Sequence, residues 1–444
     1  MTNDRKGIQR ILRALIATSL LLTLSPTPAT ALCGDGNGDG TVKATDALIA
    51  LTLATADGYQ KRLDVAPAGA PDDQITATDA LLVLVAATTS VVPPCRAGDE
   101  TTAAISTTSC DFVSGGIGVL DAVTLEVLDH RSGIIKSDAV IREQRGRIFA
   151  INRFGGDNIQ EINPDDDYAT LWQCSTVAGS NPHDIVLTSD TKGYVSRYDA
   201  TSLLIIDPST DATCATFEVG TIDLAPYADA DGLPEMDQMV VVDGFLFVAL
   251  QRLDRTDFFR PAGSGALVVI DTVTDSVVDV IELTISNPFA EAKGLTYHEA
   301  TERIYVGGPG TFFTDLTDGG IEIINPTTRV SEGVIASGSE LGGDLTDFAL
   351  AGNRRLFAIV ADGDFNATVI EFDTVSRSVT TTLATSALLL SDIELAESGR
   401  LWLADRNCSD PGVRVFTVGT MTGAIEITDT PIFPGLSPFN ILLR

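Results

Sequence analysis

The chain has 444 residues, with 61 Asp and Glu against 29 Lys and Arg, for a formal charge of −32. Such a surface repels nucleic acid and anionic membrane and attracts divalent cations. Hydrophobic residues make up 44% of the chain, too many for disorder and enough for a large core beside a small module.

Residues 1–31 read as an export signal. Arg5, Lys6, Arg10 and Arg13 give a basic start, and Ala14 to Leu24 form an apolar run too short to anchor. Ala29-Thr30-Ala31 then supplies a small-x-small cleavage site. No later segment reaches membrane-spanning length, so the expected location is extracytoplasmic: secreted, periplasmic or at the cell surface. Cleavage leaves 25 Lys and Arg against 60 Asp and Glu. Six cysteines in an exported chain suggest disulfides.

Residues 32–96 form a first module. In Asp35-Gly-Asn-Gly-Asp-Gly-Thr-Val-Lys-Ala-Thr-Asp46, side-chain oxygens stand at loop positions 1, 3, 5 and 12: Asp35, Asn37, Asp39 and Asp46. Gly40 at position 6 permits the sharp turn, and Thr41 at position 7 offers its carbonyl. This is an oxygen set for calcium, followed by an apolar helix from Ala47. Asp72-Asp-Gln-Ile-Thr-Ala-Thr-Asp-Ala-Leu-Leu82 repeats residues 39–49. The duplicated half-EF-hand resembles the type I dockerin family over about residues 33–90. The second copy departs from the pattern, with Asp73 at position 6 and Ala68 and Ala70 at positions 1 and 3 unless Asp64 takes position 1. A strong first calcium site is expected, and a weak or absent second one at Asp64, Asp72, Gln74 and Asp79. The resemblance also implies a cohesin-like or other extracellular protein partner, meeting Ala44-Thr45 and Ala77-Thr78. Cys33 and Cys95 bracket this module and would clamp its ends.

Residues 97–444 change to short β-rich runs separated by Gly, Asp and Asn. A four-strand unit recurs. Its first strands begin at Asp138, Asp184, Asp237, Lys293-Gly294, Asp347 and Asp392, and its third strands end at Asp121, Asn163, Asp207, Asp271, Asn325 and Asp373. Repeats of this kind predict a mainly β, seven-bladed β-propeller. One blade is split: Ser437-Pro-Phe-Asn440 supplies its first strand and residues 101–128 the other three. The pattern resembles YVTN-type propeller repeats and, more loosely, the gluconolactonase class. Cys110 and Cys408 fall in matching loops of the two blades that meet at the seam, and Cys174 with Cys214 is the remaining pair.

Strand starts place Asp138, Asp184, Asp237, Asp347, Asp392 and Asn440 around one channel mouth, with His183 beside them. These carboxylates either hold a cation or polar ligand, or turn sideways to cap backbone N–H groups. Long loops on the same face carry Arg252, Phe258, Phe259 and Arg260, then Phe312 and Phe313, then Phe365. Aromatic and Arg side chains there either anchor a peptide or glycan or fold back between blades. There is no zinc motif, nucleophile elbow or phosphate loop, so no catalytic residue is assigned. The leading expectation is a secreted, calcium-binding, non-catalytic protein whose propeller binds protein or carbohydrate. The rival is an extracytoplasmic metal-dependent propeller hydrolase, lactonase-like or polysaccharide-degrading. A structural part in an envelope complex is a third possibility.

Overall fold

A computed structural model of the chain describes residues 100–444, apart from 289–293, 299–300, 313, 353, 365, 388–389, 397 and 420–422, with ten positions between 43 and 84. Among those ten, Ala44, Ala47, Leu48, Ala50 and Leu51 are helical, as are Ala80, Leu81, Val83 and Leu84. Burial repeats with the sequence: Ala47 and Ala80 are buried, Ala50 and Val83 likewise, and Leu48 and Leu81 are exposed. The calcium-loop residues Asp35, Asn37, Asp39, Thr41, Asp46, Asp64, Asp72, Gln74 and Asp79 lie outside the described residues, as do Cys33 and Cys95.

From Glu100 onward the chain builds seven four-stranded antiparallel sheets, the blades of a β-propeller. Blade 1 pairs Ser437–Leu443 with Thr102–Thr108, then Gly115–Asp121 and Val127–Ser132. Blades 2 to 7 run in chain order, their first strands being Ala139–Gln144, Pro182–Ser189, Met236–Val242, Leu295–His298, Asp344–Leu350 and Leu390–Leu395. The second strands are buried on both faces. Phe245–Leu250 is an example, read in the sequence as Phe-Leu-Phe-Val-Ala-Leu. Outer strands alternate instead, as in Ala169–Ser175, where Trp172 and Cys174 point inward.

The core is divided into seven apolar clusters, each lying between two neighbouring blades. No blade covers both of its own faces, so each depends on the next. The ring closes where Ser437–Leu443 pairs with Thr102–Thr108. The Cys110–Cys408 disulfide crosses the same seam (Cα–Cα 5.9 Å), and Cys174–Cys214 ties blade 2 to blade 3 (5.6 Å).

Turn chemistry follows the sequence. Each of the six Asx residues ending a third strand accepts a backbone N–H two residues on, as Asp271 does from Val273 at 2.8 Å. A basic residue opening the second strand reaches over to this turn in the next blade. Arg147 donates to the Pro208 carbonyl, Lys192 to Thr272, Arg355 to Gly419 and Gly423, and Arg400 to Ala122 and Val123.

A second set of ties runs around the axis. Asp184 accepts the Met239 N–H of blade 4 (2.8 Å), Gln238 the Leu295 N–H of blade 5 (3.2 Å) and Asp347 the Ile393 N–H of blade 7 (2.9 Å). Asp392 accepts from Ile441 of blade 1, and Asn440 from Ile141 of blade 2 (2.8 Å). Val140 and Gly294 hold this position in blades 2 and 5 and have no acceptor to offer. In the blade that follows each, the matching N–H of Ile185 or Phe348 turns to the carboxylate of its own Asp184 or Asp347.

This ring differs from the sequence alignment at two places. Gln238, not Asp237, holds the ring position in blade 4, and Val140 replaces Asp138 in blade 2. Blades 3, 4, 6 and 7 carry a one-residue bulge at the start of their first strands and blade 2 does not, which shifts Asp138; blade 4 is bulged like blade 3, and there Asp237 matches His183 rather than Asp184.

Asp184, Asp347 and Asp392 are buried. Burial raises the Asp184 pKa, and the Arg142 guanidinium (Nε to Oδ1 3.2 Å) opposes the rise. Asp347 is raised well above the ordinary range by burial and by the Asp392 carboxyl hydrogen-bonded to it. Folding therefore favours a proton on the Asp347–Asp392 pair. That contribution is complete below the ordinary aspartate range and is lost as pH climbs through the raised value. Wild-type melting temperature should fall with rising pH. In Asp392→Asn the new amide donates to Asp347 without a titrating proton, so the fall should be shallower. An equally steep fall in a thermal melt series would show that this pair does not set the dependence.

Candidate functional site

The strand starts left outside the ring face a cavity of about 540 Å³ at the channel mouth. Asp138 and His183 line it, with Phe258, Phe259 and Arg260 from the second-to-third-strand loop of blade 4 and Phe312 from that of blade 5. Asp237 sits behind this wall, buried and bonded to two wall residues. Asp184, Asp347, Asp392 and Asn440 belong to the inner ring instead. Arg252 turns to Glu282 and the Tyr227 carbonyl. Phe313 and Phe365 lie outside the described residues.

His183 is fixed on two sides. Its ring stacks on Tyr198 (centroids 4.5 Å apart, 13° between planes), and Nδ1 lies 3.2 Å from Asp237 Oδ1. The other Asp237 oxygen accepts from Gln251 Nε2 at 2.5 Å. In the tautomer that donates from Nδ1, the lone pair is on Nε2, away from Asp237. Burial, with Glu235 and Asp237 nearby, raises the Tyr198 phenol above its ordinary range. Arg153 binds Asp138 through Nε (3.0 Å) and Nη2 (2.5 Å) and lies over the Phe439 ring.

The aromatic wall is a short hairpin, Leu253–Asp254 paired with Arg260–Pro261. Arg255 latches it to the blades. Its guanidinium meets Glu235 (2.8 Å) and Asp199 (2.5 Å) and lies over the rings of Tyr198 and Phe259. Glu235 Oε2 also accepts the Leu253 N–H at 3.1 Å. At the tip, Phe258 and Phe259 both have positive φ, 57° and 56°, unusual for bulky residues. Phe258 is 92% exposed and Phe259 51%. In the facing loop, Asp318 accepts from the Thr311 N–H and hydroxyl. Gly310 there has φ of 72°, and a side chain would meet Asp318 at 2.3 Å.

The sequence reading missed Arg153, Tyr198 and Gln251. Each follows the last residue of a second strand, at Asn152, Arg197 and Leu250, so a position-by-position alignment of the repeats would have marked them. Among the described residues, no three or more His, Cys, Asp or Glu side chains are grouped to hold a metal ion. The wall presents donors, acceptors and ring faces, with one oriented imidazole.

No protein-family model and no curated protein matches the chain. Among solved structures it is similar to a putative 6-phosphogluconolactonase from Bacteroides fragilis, at 11% identity and a TM-score of 0.53, over 79% of this chain and 99% of that one. It is also similar to AztD from Citrobacter koseri (13%, TM-score 0.45, 78% and 97% covered). The Cps50 (Swd1) propeller domain of Myceliophteria thermophila matches at 11%, with a TM-score of 0.49 over 73% and 98%. At these identities the first likeness speaks for the fold alone, and the other two carry no argument.

Burial lifts the Glu235 pKa to about 7, although Arg255 and the Leu253 N–H oppose the rise. The latched hairpin thus favours neutral Glu235, an advantage complete below the ordinary glutamate range and lost as pH rises through about 7. Hydrogen exchange of the hairpin amides, corrected for intrinsic rate, should quicken above that pH in wild type and stay level in Glu235→Gln. Level exchange in wild type would show that Glu235 does not govern the latch.

Proposed function

We propose that this is an exported, calcium-stabilised binding protein whose propeller takes a carbohydrate in the mouth cavity. Its dockerin-like N-terminal module docks to an extracellular protein. One observation carries the propeller half: exposed rings at Phe258 and Phe312 stand over a wall of polar groups, Asp138, His183 and Gln251, held by hydrogen bonds, with Asn181 beside them. A sugar ring offers an apolar C–H face and a rim of hydroxyls, which suits ring faces beside planar donors and acceptors. The cavity volume falls within the ~300–1,000 Å³ common for small-ligand sites.

A second reading, a hydrolase acting on a lactone or glycan in the same cavity, draws on His183. Its hydrogen bond to Asp237, itself held by Gln251, is how a general base is oriented.

Calorimetry of the full chain against a panel of soluble oligosaccharides tests both. Binding should weaken roughly tenfold in Phe258→Ala, with no change in melting temperature, because that ring is exposed. Product release that disappears in His183→Gln would favour the hydrolase. Failure of every oligosaccharide to bind would end the carbohydrate reading. For the first module, Asp35→Ala with Asp39→Ala should abolish calcium uptake and leave the cavity unaffected, and undiminished uptake would refute the assignment.

A further inference from the structure

Arg260 stands apart from the other arginines of the propeller. Every other arginine among the described residues is engaged by a carboxylate, a backbone carbonyl or an aromatic ring. Among the described residues the Arg260 guanidinium has no such partner, although the chain carries about two acids for each base. It is exposed, and it lines the cavity beside Phe258 and Phe259. In a protein of charge −32, a guanidinium left open at a ligand-sized cavity is a place where a negative group gains what the rest of the surface denies it.

We propose that the cavity selects an acidic sugar, a uronate, whose ring carboxylate is taken by Arg260. The proposal rests on the carbohydrate reading and names the class of sugar. Two features favour a carboxylate over a phosphate. The planar guanidinium fork matches a carboxylate in a two-bond pair. The open cation is also single, since Arg153 is already held by Asp138 in the same wall. A phosphate monoester brings about two negative charges and would meet Asp138 with one of them unmatched. The hairpin latch fixes the geometry: Arg255 ties Phe259 to Tyr198, and Arg260 opens the return strand of the same hairpin. A carboxylate on Arg260 thus lies beside the rings that would take the sugar face.

The test is calorimetric titration of the full chain with oligogalacturonate, its methyl ester and a neutral hexose oligomer of equal length. The ester keeps the rings and removes the charge. The acid should bind on the order of tenfold to a hundredfold more tightly than the ester, and the difference should shrink as salt is added. Arg260→Gln should remove the preference for the acid over the ester, with the melting temperature unchanged. Arg260→Lys, which keeps the charge but not the fork, should fall between. Equal binding of acid and ester, or an acid preference that survives Arg260→Gln, overturns the proposal while the carbohydrate reading stands. Binding of the neutral oligomer alone has the same meaning. If none of the three binds, both readings fall.

Discussion

The whole molecule depends on a single constraint: no blade can cover both of its faces, so the ring must close. Each apolar cluster is shared by two blades, including the one where Ile105 and Ile441 of blade 1 meet Trp402 and Val415 of blade 7. Without the pairing of Ser437–Leu443 to Thr102–Thr108, blade 1 would lose its inner strand, and the cluster on each side would open to water. The first and last strands of the propeller are therefore part of its core. The Cys110–Cys408 bond lies at the seam that needs it, joining residues 298 apart in sequence. On the chain-entropy account, a loop of that length gives a disulfide about 6 kcal/mol before any strain, above the usual range of about 2–4 kcal/mol.

Closure also decides the fate of the strand-start carboxylates. Inner strands crowd the axis, and one N–H at each strand start needs an acceptor. A side chain from the preceding blade fills that need at five of the seven positions. Burying a carboxylate is costly, but each of these accepts at least one backbone N–H, and the neighbouring Asp392 carboxyl with burial raises the Asp347 pKa, so the pair takes up a proton more readily than two free carboxylates. Asn440 does the same work without charge: its oxygen accepts from Ile141 and its amide donates to Asp392. Of the two roles open to these aspartates in the sequence, capping is the one their hydrogen bonds display in the ring. Asp138 and Asp237 fall outside it and turn to Arg153 and to His183 with Gln251.

Much of the propeller was legible because its signals are local and repeated. Asx residues at third-strand ends, aromatic second strands and the split seam all correspond to elements of the structure, and so do the cysteine pairs at 110–408 and 174–214. The cavity was legible in part. Its aromatic loop stands out in sequence because paired phenylalanines in a loop are rare. His183 and Asp138, expected at a channel mouth, both line the cavity. At Asp138 the missing bulge of blade 2 moved the register, since one inserted residue turns the next side chain to the other face. Asp237 was matched one residue out, to Asp184 instead of His183, because an Asp stands at both places. Arg255 and Glu235 were missed for another reason. Each is an ordinary charged residue near a turn, and only the fold brings Arg255 against Asp199 and Tyr198, more than fifty residues earlier.

The hairpin of blade 4 is both strained and braced. Two adjacent phenylalanines with positive φ cost roughly 1–3 kcal/mol each, and Phe258 gains almost no burial in return. The surrounding contacts offset this strain. Asp254 accepts from Thr256 and Phe259, Asp231 accepts from the Arg255 N–H, and the Arg255 guanidinium is gripped by two carboxylates. A loop that merely connected two strands would relax the strain instead of bracing it. Braced, it holds aromatic faces at the rim with little left to order when a ligand arrives, so less of the contact energy is lost in fixing the loop. The rigid wall and the open guanidinium of Arg260 are thus parts of one hairpin, and the latch that orders the rings also sets where that charge stands.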